Sequence, residues 1–327
     1  MKVTEHLDRA TKPLISYEII PPKRGGSIEG VFETIDSILP FKPPFIDVTS
    51  HAAEVELEEQ PGGVFRRRVK RKRPGTIGLC AAIKHHYNID TVPHLLCHGF
   101  TRQETEDALI ELNYLGIDNV LAIRGDDTGY QKKLMNGRTR NEYAIDLVRQ
   151  IVDMNNGQYL EDLIDATPTD FCIGIAGYPE KHFESPNLEW GIQKTKEKVE
   201  AGADYIVTQM FFRNQKFFDY VEKCRDAGIT VPIIPGIKIL TSRRHLNFLP
   251  RYFHIDLPKE LSKAVEQADD DSIEDIGVEW AVQQSMELLE AGVPSLHFYI
   301  MQSSTVASRV VKSITDHKEL FAVTEQG

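Results

Sequence analysis

The sequence predicts a (βα)8 TIM barrel with helical insertions, an α/β fold. Eight strand-like segments alternate with helical segments along the 327 residues, and no two strands are consecutive. Strict alternation of this kind is typical of parallel strands joined by right-handed crossovers, and eight units match the barrel. The alternative is an open doubly wound sheet, which usually has a glycine-rich turn after its first strand. Pro21 and Pro22 stand there instead, which favours the barrel.

The strands are predicted where β-branched and aromatic residues lie between turn-forming residues. They cover residues 14–20, 45–49, 91–97, 119–123, 171–177, 205–210, 231–234 and 295–300. Between them, apolar residues at helical spacing predict the helices. They cover residues 28–39, 76–87, 101–115, 142–154, 188–201, 214–227, 242–248, 257–270, 273–291 and 305–314. The all-apolar segment 119–123 is typical of a parallel strand that is covered on both faces.

Two insertions are predicted within a single catalytic barrel domain spanning residues 1–327. Residues 257–291 form a helical insertion before the eighth strand, and residues 54–74 form an irregular charged loop. In that loop an acidic cluster precedes a basic run from Arg66 to Arg73. The basic run is interpreted as a solvated mobile loop, an anion-binding segment or a nucleic-acid or localisation patch. The adjacent glutamates favour the first interpretation, because they neutralise the basic charge.

Composition excludes several classes of protein. Apolar residues make up 41% of the chain, and the formal net charge of −11 disfavours general nucleic-acid binding. None of the four cysteines has the C-x-x-C spacing of a zinc ribbon. The first 13 residues lack the apolar segment of a signal peptide, and no apolar run approaches a membrane span of about 20 residues. We therefore expect a cytoplasmic protein without a membrane partner.

Polar residues end most of the predicted strands, where active sites of such barrels lie. They are Glu18, Thr49, His94, Arg124, Asp126, Tyr178, His182, Gln209, Lys238, Tyr299 and Gln302. Each alone has a structural explanation; for example, Asp126 is also a plain turn former. Together on one face they indicate a site with acid–base groups.

Glu18 is the most informative of these residues because it interrupts an otherwise strand-forming segment. A buried carboxylate is costly unless it is paired or carries a proton. The alternative is an edge strand on which Glu18 faces water. The chain has no H-E-x-x-H motif, no H-x-H cluster and no carboxylate triad with metal spacing, so no catalytic metal is predicted. It also has no Walker or G-x-S-x-G motif. The residues themselves leave an aldolase, an isomerase and a flavin enzyme open.

Ten short motifs, in order along the chain, together resemble the methylenetetrahydrofolate reductase family. They lie at residues 17–22, 48–49, 93–95, 121–126, 143–148, 177–182, 196–203, 208–212, 235–237 and 297–299. Any one of them is unspecific, but the ordered set is highly specific. The length resembles the short bacterial type without a regulatory domain.

The resemblance implies an FAD-containing barrel of one-carbon metabolism and methionine biosynthesis. It would reduce 5,10-methylenetetrahydrofolate to 5-methyltetrahydrofolate with NADH or NADPH, by a ping-pong hydride relay through FAD. Ring opening of the folate needs a proton, and the resemblance assigns Glu18 as its donor. Family members are commonly homo-oligomers.

The resemblance also implies binding residues. Those expected to hold FAD are Thr49, Ser50, His94, Arg124, Gly125, Asp126, Tyr143, Ala144, Tyr178, His182 and Lys198. Those expected to contact folate are Asp126, Gln209 and Phe211, although Phe211 is equally interpreted as a core residue.

Four positions depart from the family pattern. Gly191 and Lys194 stand where acidic or amide flavin contacts are common. His245 replaces a glutamine and Ser303 replaces an arginine, so the folate-binding roles of those positions are not transferred. Two competing functions remain: a metal-free lyase or aldolase with Lys238 as its Schiff-base residue, and a binding protein that has lost catalysis.

Overall fold

The computed structural model describes residues 1–126, 130, 132–135, 137–301 and 304–317. Its α-helices are α1 (Val3–Asp8), α2 (Glu29–Ile38), α3 (Ile77–Tyr87), α4 (Arg102–Tyr114), α5 (Ala144–Asn155), α6 (Leu188–Glu200), α7 (Asn214–Asp226), α8 (His245–Phe253), α9 (Lys259–Gln267), α10 (Ile273–Glu290) and α11 (Thr305–Thr315). Its strands are β1 (Leu14–Ile19), β2 (Phe45–Val48), β3 (Glu54–Gln60), β4 (Val64–Lys70), β5 (Asp90–Leu96), β6 (Asn119–Ile123), β7 (Cys172–Gly177), β8 (Tyr205–Thr208), β9 (Ile233–Ile234), β10 (Gly236–Ile237) and β11 (Ser295–Met301).

Nine of these strands form one parallel sheet that confirms the predicted barrel. Their order is β10-β11-β1-β2-β5-β6-β7-β8-β9. The two end strands of this order, β9 and β10, flank Pro235 and together occupy the seventh position of the ring. Pro235 has no N–H to donate and so interrupts the strand. Ile233–Ile234 pairs with β8 and Gly236–Ile237 pairs with β11, which closes the ring.

The barrel interior is apolar at its amino end and polar at its carboxyl end. The amino end holds a buried cluster of Val3, Phe45, Val92, Leu121, Cys172, Tyr205, Val207 and Ile234. Helix α1, which the sequence did not predict, covers this end: Val3 is fully buried, and its N–H donates to Asn119 Oδ1 at 2.8 Å. Side chains two residues apart on a strand share a face. Asp47 follows Phe45 and His94 follows Val92 at this spacing, so both acidic and basic groups enter the barrel above the apolar layer.

The charged segment at residues 54–74 is a β-hairpin, so the prediction of an irregular loop was wrong. Strands β3 and β4 pair antiparallel from Glu54↔Lys70 to Gln60↔Val64. Opposite charges face each other across the pair: Arg68 Nη1 lies 2.9 Å from Glu58 Oε1, and Lys70 contacts Glu56. These cross-strand charge pairs stabilise the hairpin, and the alternation of Val55 and Leu57 with glutamates was a strand signal in the sequence. At the base, Arg73 Nη1 donates to the carbonyl of Pro21 in the loop after β1.

The segment between β10 and β11 carries α8, α9 and α10. These helices share a separate buried cluster that includes Leu240, Leu249, Leu261 and Ile273. None of the helices in the described part of the chain is long and apolar enough to cross a membrane.

Helix α10 lies against the backbone at Leu240, and Gly277 permits this contact. A Cβ at Gly277 would stand 1.7 Å from the Leu240 carbonyl oxygen. We expect Gly277→Ala to lower the free energy of unfolding by at least about 2 kcal/mol, because a backbone must move. Urea unfolding measures this. Gly78→Ala in α3 is the matched control, since nothing lies within 4 Å of its Cβ position. Equal stabilities of the two variants would contradict the close contact.

Candidate active site

Glu18 lies near the carboxyl end of β1 with its side chain 13% exposed. Its Oε2 is 3.6 Å from His94 Nε2. Burial raises the pKa of Glu18 to about 7, and the Asp47 carboxylate adds to this, whereas His94 and Lys238 act in the opposite direction. Glu18 is therefore a carboxyl group that holds a proton close to neutral pH, and the edge-strand alternative does not apply.

Asp47 is a second carboxyl group at the same level of the barrel. It pairs in register with Glu18 across β1 and β2, and its Oδ2 lies 3.4 Å from His94 Nε2. Burial raises the pKa of Asp47 to about 6, and His297 opposes this shift. His297 is itself buried, and its Nδ1 is hydrogen-bonded to Ser16 Oγ at 2.9 Å. Burial lowers the pKa of His94 and that of His297, which favours neutral imidazoles.

Lys238 and Tyr299 complete the polar end of the barrel. Lys238 Nζ donates to the Tyr299 carbonyl at 2.9 Å, and the Tyr299 hydroxyl donates to the Thr208 carbonyl at 2.6 Å. Burial lowers the pKa of Lys238 to about 8, while Glu18 opposes that change. Lys238 thus follows the split seventh strand and lies within electrostatic range of Glu18.

A cavity of about 560 Å³ opens beside this cluster, between the ends of β6 and β7 and helices α5 and α6. Six of the eleven residues predicted to hold FAD line it: Arg124, Tyr143, Ala144, Tyr178, His182 and Lys198. Its volume is in the range of small-molecule sites. The structure therefore collects these six residues from four elements and their loops into one place.

Cationic and aromatic groups dominate the polar lining of this cavity. Arg124 Nη1 lies 2.7 Å from Glu184 Oε2, and the ring of Tyr178 packs edge-on against His182 at 4.7 Å. Lys198 Nζ donates to the Ala176 carbonyl at 3.3 Å. Burial lowers the pKa of Lys198 to about 8 and also lowers that of His182. An anionic ligand would stabilise the charged form of Lys198, because the negative charge would offset the cost of desolvation.

The remaining predicted FAD residues do not line this cavity and lie near the carboxyl ends of β2, β5 and β6. Thr49 follows β2, and its Oγ1 has no hydrogen-bond partner among the described residues; Ser50 comes next and is partly exposed. Gly125 adopts a φ of +84°, which glycine tolerates best, and turns the chain after β6. Asp126 is exposed, and its carbonyl accepts a hydrogen bond from His98 Nδ1 at 3.2 Å.

The predicted folate residues differ in their surroundings. Gln209 follows β8, is partly exposed, and its Oε1 accepts from the N–H of Met210 at 2.9 Å. Phe211 is fully buried and stacks on Phe217 at 5.3 Å, a position that fits the core interpretation. Gln302 and Ser303 lie outside the described residues. His245 caps a turn, since its Nδ1 accepts from the N–H of Thr241 at 3.2 Å.

Sequence reasoning missed residues in both parts of the site. Asp47 and His297 were not singled out, although a carboxylate within the short apolar strand β2 was a signal equal to Glu18. Trp190, Thr195 and Glu197 line the cavity together with Lys194, which was noted only as a departure from the family. Their spacing on α6 matches one face of a helix that also carries Lys198, and that periodicity was a usable signal. Among the described residues, no group of three or more His, Cys, Asp or Glu side chains could hold a metal ion.

The raised pKa of Glu18 makes stability depend on pH. The folded protein holds this proton up to a pKa of about 7, whereas an unfolded chain releases it near 4.5. Unfolding therefore releases a proton between these values, and stability falls as pH rises through this window. In the wild type the free energy of unfolding should therefore fall between pH 4.5 and pH 8, and in Glu18→Gln this fall should be smaller by about 2–3 kcal/mol.

Urea unfolding at several pH values measures this difference. Glu111→Gln on an exposed position of α4 is the control and should keep the wild-type slope. Parallel stability curves for Glu18→Gln and the wild type would show that Glu18 is not buried as a protonated group.

Comparison with known proteins identifies the family. The sequence matches the methylenetetrahydrofolate reductase family over residues 2–315. "Methylenetetrahydrofolate reductase 1" of Schizosaccharomyces pombe is 30% identical, covering 96% of this chain and 48% of the relative. "5,10-methylenetetrahydrofolate reductase" of Buchnera aphidicola is 29% identical, covering 91% of this chain and 90% of the relative. The chain spans about half the length of the S. pombe and Arabidopsis thaliana relatives.

A solved structure supports the fold alone. An uncharacterised protein from Clostridium thermocellum that binds two copies of 5-methyl-5,6,7,8-tetrahydrofolic acid superposes with a TM-score of 0.59. It is 14% identical and covers 97% of this chain and 99% of its own. The similarity of fold agrees with the match over residues 2–315, which extends across the barrel and its candidate site. This chain belongs to the methylenetetrahydrofolate reductase family.

Proposed function

We propose that this chain reduces 5,10-methylenetetrahydrofolate to 5-methyltetrahydrofolate with NADH or NADPH, by a ping-pong hydride relay through FAD. The observation that carries the proposal is Glu18, a buried carboxyl group whose pKa is raised to about 7 at the carboxyl end of a barrel strand. Family membership supports the reaction, and the two relatives named for NADH and NADPH leave the nicotinamide open.

The cavity beside α6 fits the phosphate-bearing part of a flavin dinucleotide. Arg124, His182 and Lys198 present nitrogen donors to it, as a pyrophosphate requires. The exposed rings of Tyr143 and Trp190 supply flat apolar surface for stacking. Glu184 now pairs with Arg124, so a bound phosphate would compete with this carboxylate for the guanidinium. Thr49, Ser50, His94, Gly125 and Asp126 complete the proposed set at the neighbouring strand ends.

When bound, FAD supplies hydride transfer from the nicotinamide to the methylene carbon of the folate. The residues of the chain supply the proton. Glu18 holds it on its carboxyl group and donates it to a folate nitrogen, which opens the cyclic methylene bridge to an iminium ion. The iminium carbon is then electrophilic enough to accept the hydride. Burial of Glu18 keeps the donor protonated near neutral pH, where an ordinary glutamate would be ionised.

Asp126 and Gln209 are the proposed contacts of the pterin ring. The exposed Asp126 carboxylate can accept hydrogen bonds from the amino and ring N–H groups, and the Gln209 amide can donate and accept. The buried position of Phe211 supports a role in packing behind the site rather than a direct folate contact.

The proposal extends to location and assembly. All four cysteines are buried and unpaired, which supports a reducing compartment such as the cytoplasm. A homo-oligomer is proposed from the resemblance to the family.

A metal-free lyase or aldolase is the second candidate function. It is favoured by Lys238, whose pKa is lowered to about 8 by burial, as a Schiff-base amine requires. The absorbance spectrum of the purified protein distinguishes the two candidates, because only the reductase holds an oxidised flavin. Bleaching by NADH or NADPH under anaerobic conditions would exclude both the lyase and a catalytically inactive binding protein.

Glu18→Gln should abolish folate reduction while leaving flavin reduction by the nicotinamide intact. Glutamine cannot donate a proton of comparable acidity, whereas the first half-reaction needs no proton from this residue. Anaerobic stopped-flow absorbance follows the two half-reactions separately. Survival of both at wild-type rates would remove Glu18 from the mechanism.

Lys198→Met should weaken flavin binding at least about tenfold, because a charge-assisted hydrogen bond to the cofactor is lost. Titration of the apoprotein with FAD, followed by quenching of flavin fluorescence, measures the affinity. Lys196→Met is the matched control on the same helix, since Lys196 does not line the cavity. Equal affinities for the two variants would place the cofactor elsewhere.

A further inference from the structure

Two carboxyl groups stand side by side inside the barrel. Glu18 and Asp47 are register partners on adjacent parallel strands, and both side chains point into the interior. Neighbouring strands in a sheet are about 4.8 Å apart, so two ionised carboxylates here would repel each other strongly. One of the two groups is therefore expected to retain a proton when the other is charged, as in other coupled carboxyl pairs.

His94 lies close to both carboxyl groups. Its Nε2 is 3.6 Å from Glu18 Oε2 and 3.4 Å from Asp47 Oδ2. Its side chain is 5% exposed, so almost no solvent screens the interaction. His94 Nε2 makes no hydrogen bond within the described part of the chain, and a proton on it can point to only one of the two carboxyl groups at a time.

No hydrogen bond to the Asp47 side chain among the described residues explains why this carboxyl group is buried. It is 1% exposed, and neither of its oxygens has a hydrogen-bond partner within the described part of the chain. A buried group that lacks donors destabilises the fold. The imidazole of His94 lies 3.4 Å from Asp47 Oδ2, and His297 and Glu18 are among the groups that interact with its charge. Such a cost at the centre of a site points to a functional reason.

The charges around Glu18 come from four elements and oppose one another. Asp47 on β2 favours the protonated form of Glu18, while His94 on β5 and Lys238 after β10 favour the ionised form. The Tyr299 hydroxyl on β11 also interacts with Glu18 but is kept neutral, since burial raises its pKa. Asp47 is thus the anion that counteracts two nitrogen bases next to the proton donor.

We propose that Asp47 is a positioning residue for the proton of Glu18: its buried negative charge, beside Glu18 and His94, keeps that proton on Glu18 until the folate accepts it. No bond to Asp47 forms or breaks in this role. The kinetic consequence rests on the proposed function, whereas the effect on the Glu18 carboxyl does not.

The direct test is infrared titration of the full-length protein labelled with ¹³C at the glutamate carboxyl carbon. The band of protonated Glu18 is the one that Glu18→Gln removes. Asp47→Asn is nearly isosteric and uncharged, and should lower the midpoint of this band by about one pH unit. Asp47→Ser gives a second uncharged side chain at the same position, should the asparagine variant fold poorly. A midpoint that stays within about 0.2 units of the wild type, or rises, overturns the proposal.

Two variants test whether charge is the cause. Lys238→Met removes a cation from the same surroundings and should raise the midpoint; a shift in the same direction as Asp47→Asn would indicate altered packing and overturn the proposal. Asp204→Asn changes a carboxyl group that precedes β8, where it accepts from the Ile173 N–H at 2.7 Å. It should leave the midpoint unchanged, and a shift equal to that of Asp47→Asn would likewise overturn the proposal.

The kinetic readout separates this inference from the proposed function. Asp47→Asn should slow the folate half-reaction about tenfold at pH 8, with the wild-type rate recovered about one pH unit lower. Flavin reduction by NADH or NADPH should keep its pH midpoint, which a merely structural defect would not preserve. If Glu18→Gln leaves folate reduction intact, the proposed function fails, yet the infrared midpoint still decides whether Asp47 controls the proton of Glu18.

Discussion

The parallel register between β1 and β2 is the constraint on which the candidate site depends. It aligns Glu18 with Asp47 and, on the other side of β1, with Tyr299. A shift of one residue would turn Glu18 toward the surrounding helices and replace it with an apolar neighbour. The apolar residues of β1 and β2 on the outer face hold this register, because Tyr17, Ile46 and Val48 are fully buried there. The position of the acid is therefore fixed by packing outside the barrel.

The barrel interior has two layers: a lower apolar layer that stabilises the fold and an upper layer of ionisable side chains that form the candidate site. The lower layer is the buried cluster at the amino end of the barrel, which includes Val3 and Ile234 and has few polar atoms. The upper layer carries carboxyl, imidazole and amine groups whose pKa values are all shifted by burial. Because the lower layer closes the interior from below, these groups meet solvent and ligands only from the carboxyl ends of the strands. The low dielectric beneath the site thus makes each charge there influence its neighbours strongly.

The sequence was sufficient for the barrel because alternating strands and helices leave few topologies open. It was sufficient for Glu18 because a carboxylate in a strand is conspicuous. Asp47 is equally conspicuous within β2, but the family motif there covers only Val48 and Thr49, so the resemblance did not single it out. The segment of the hairpin β3–β4 is rich in charged residues, which favoured a loop, yet Glu54-Val55-Glu56-Leu57-Glu58 alternates charged and apolar residues as a strand does. The residues that line the cavity depend on how α6 packs against β7. The sequence shows which residues share one face of α6, but not which strand that face contacts.

The split seventh strand gives the barrel a seam. β9 and β10 each offer two residues to a neighbouring strand, whereas β1 pairs with β11 at six positions, with a register shift between Glu18 and Ile19. Local opening needs least free energy where the fewest backbone hydrogen bonds and side-chain contacts must be broken. Lys238 follows this seam directly, and its ammonium group interacts with Glu18. Motion of the backbone around Pro235 would therefore move the Lys238 ammonium group relative to Glu18 and change the electrostatic potential at the proton donor.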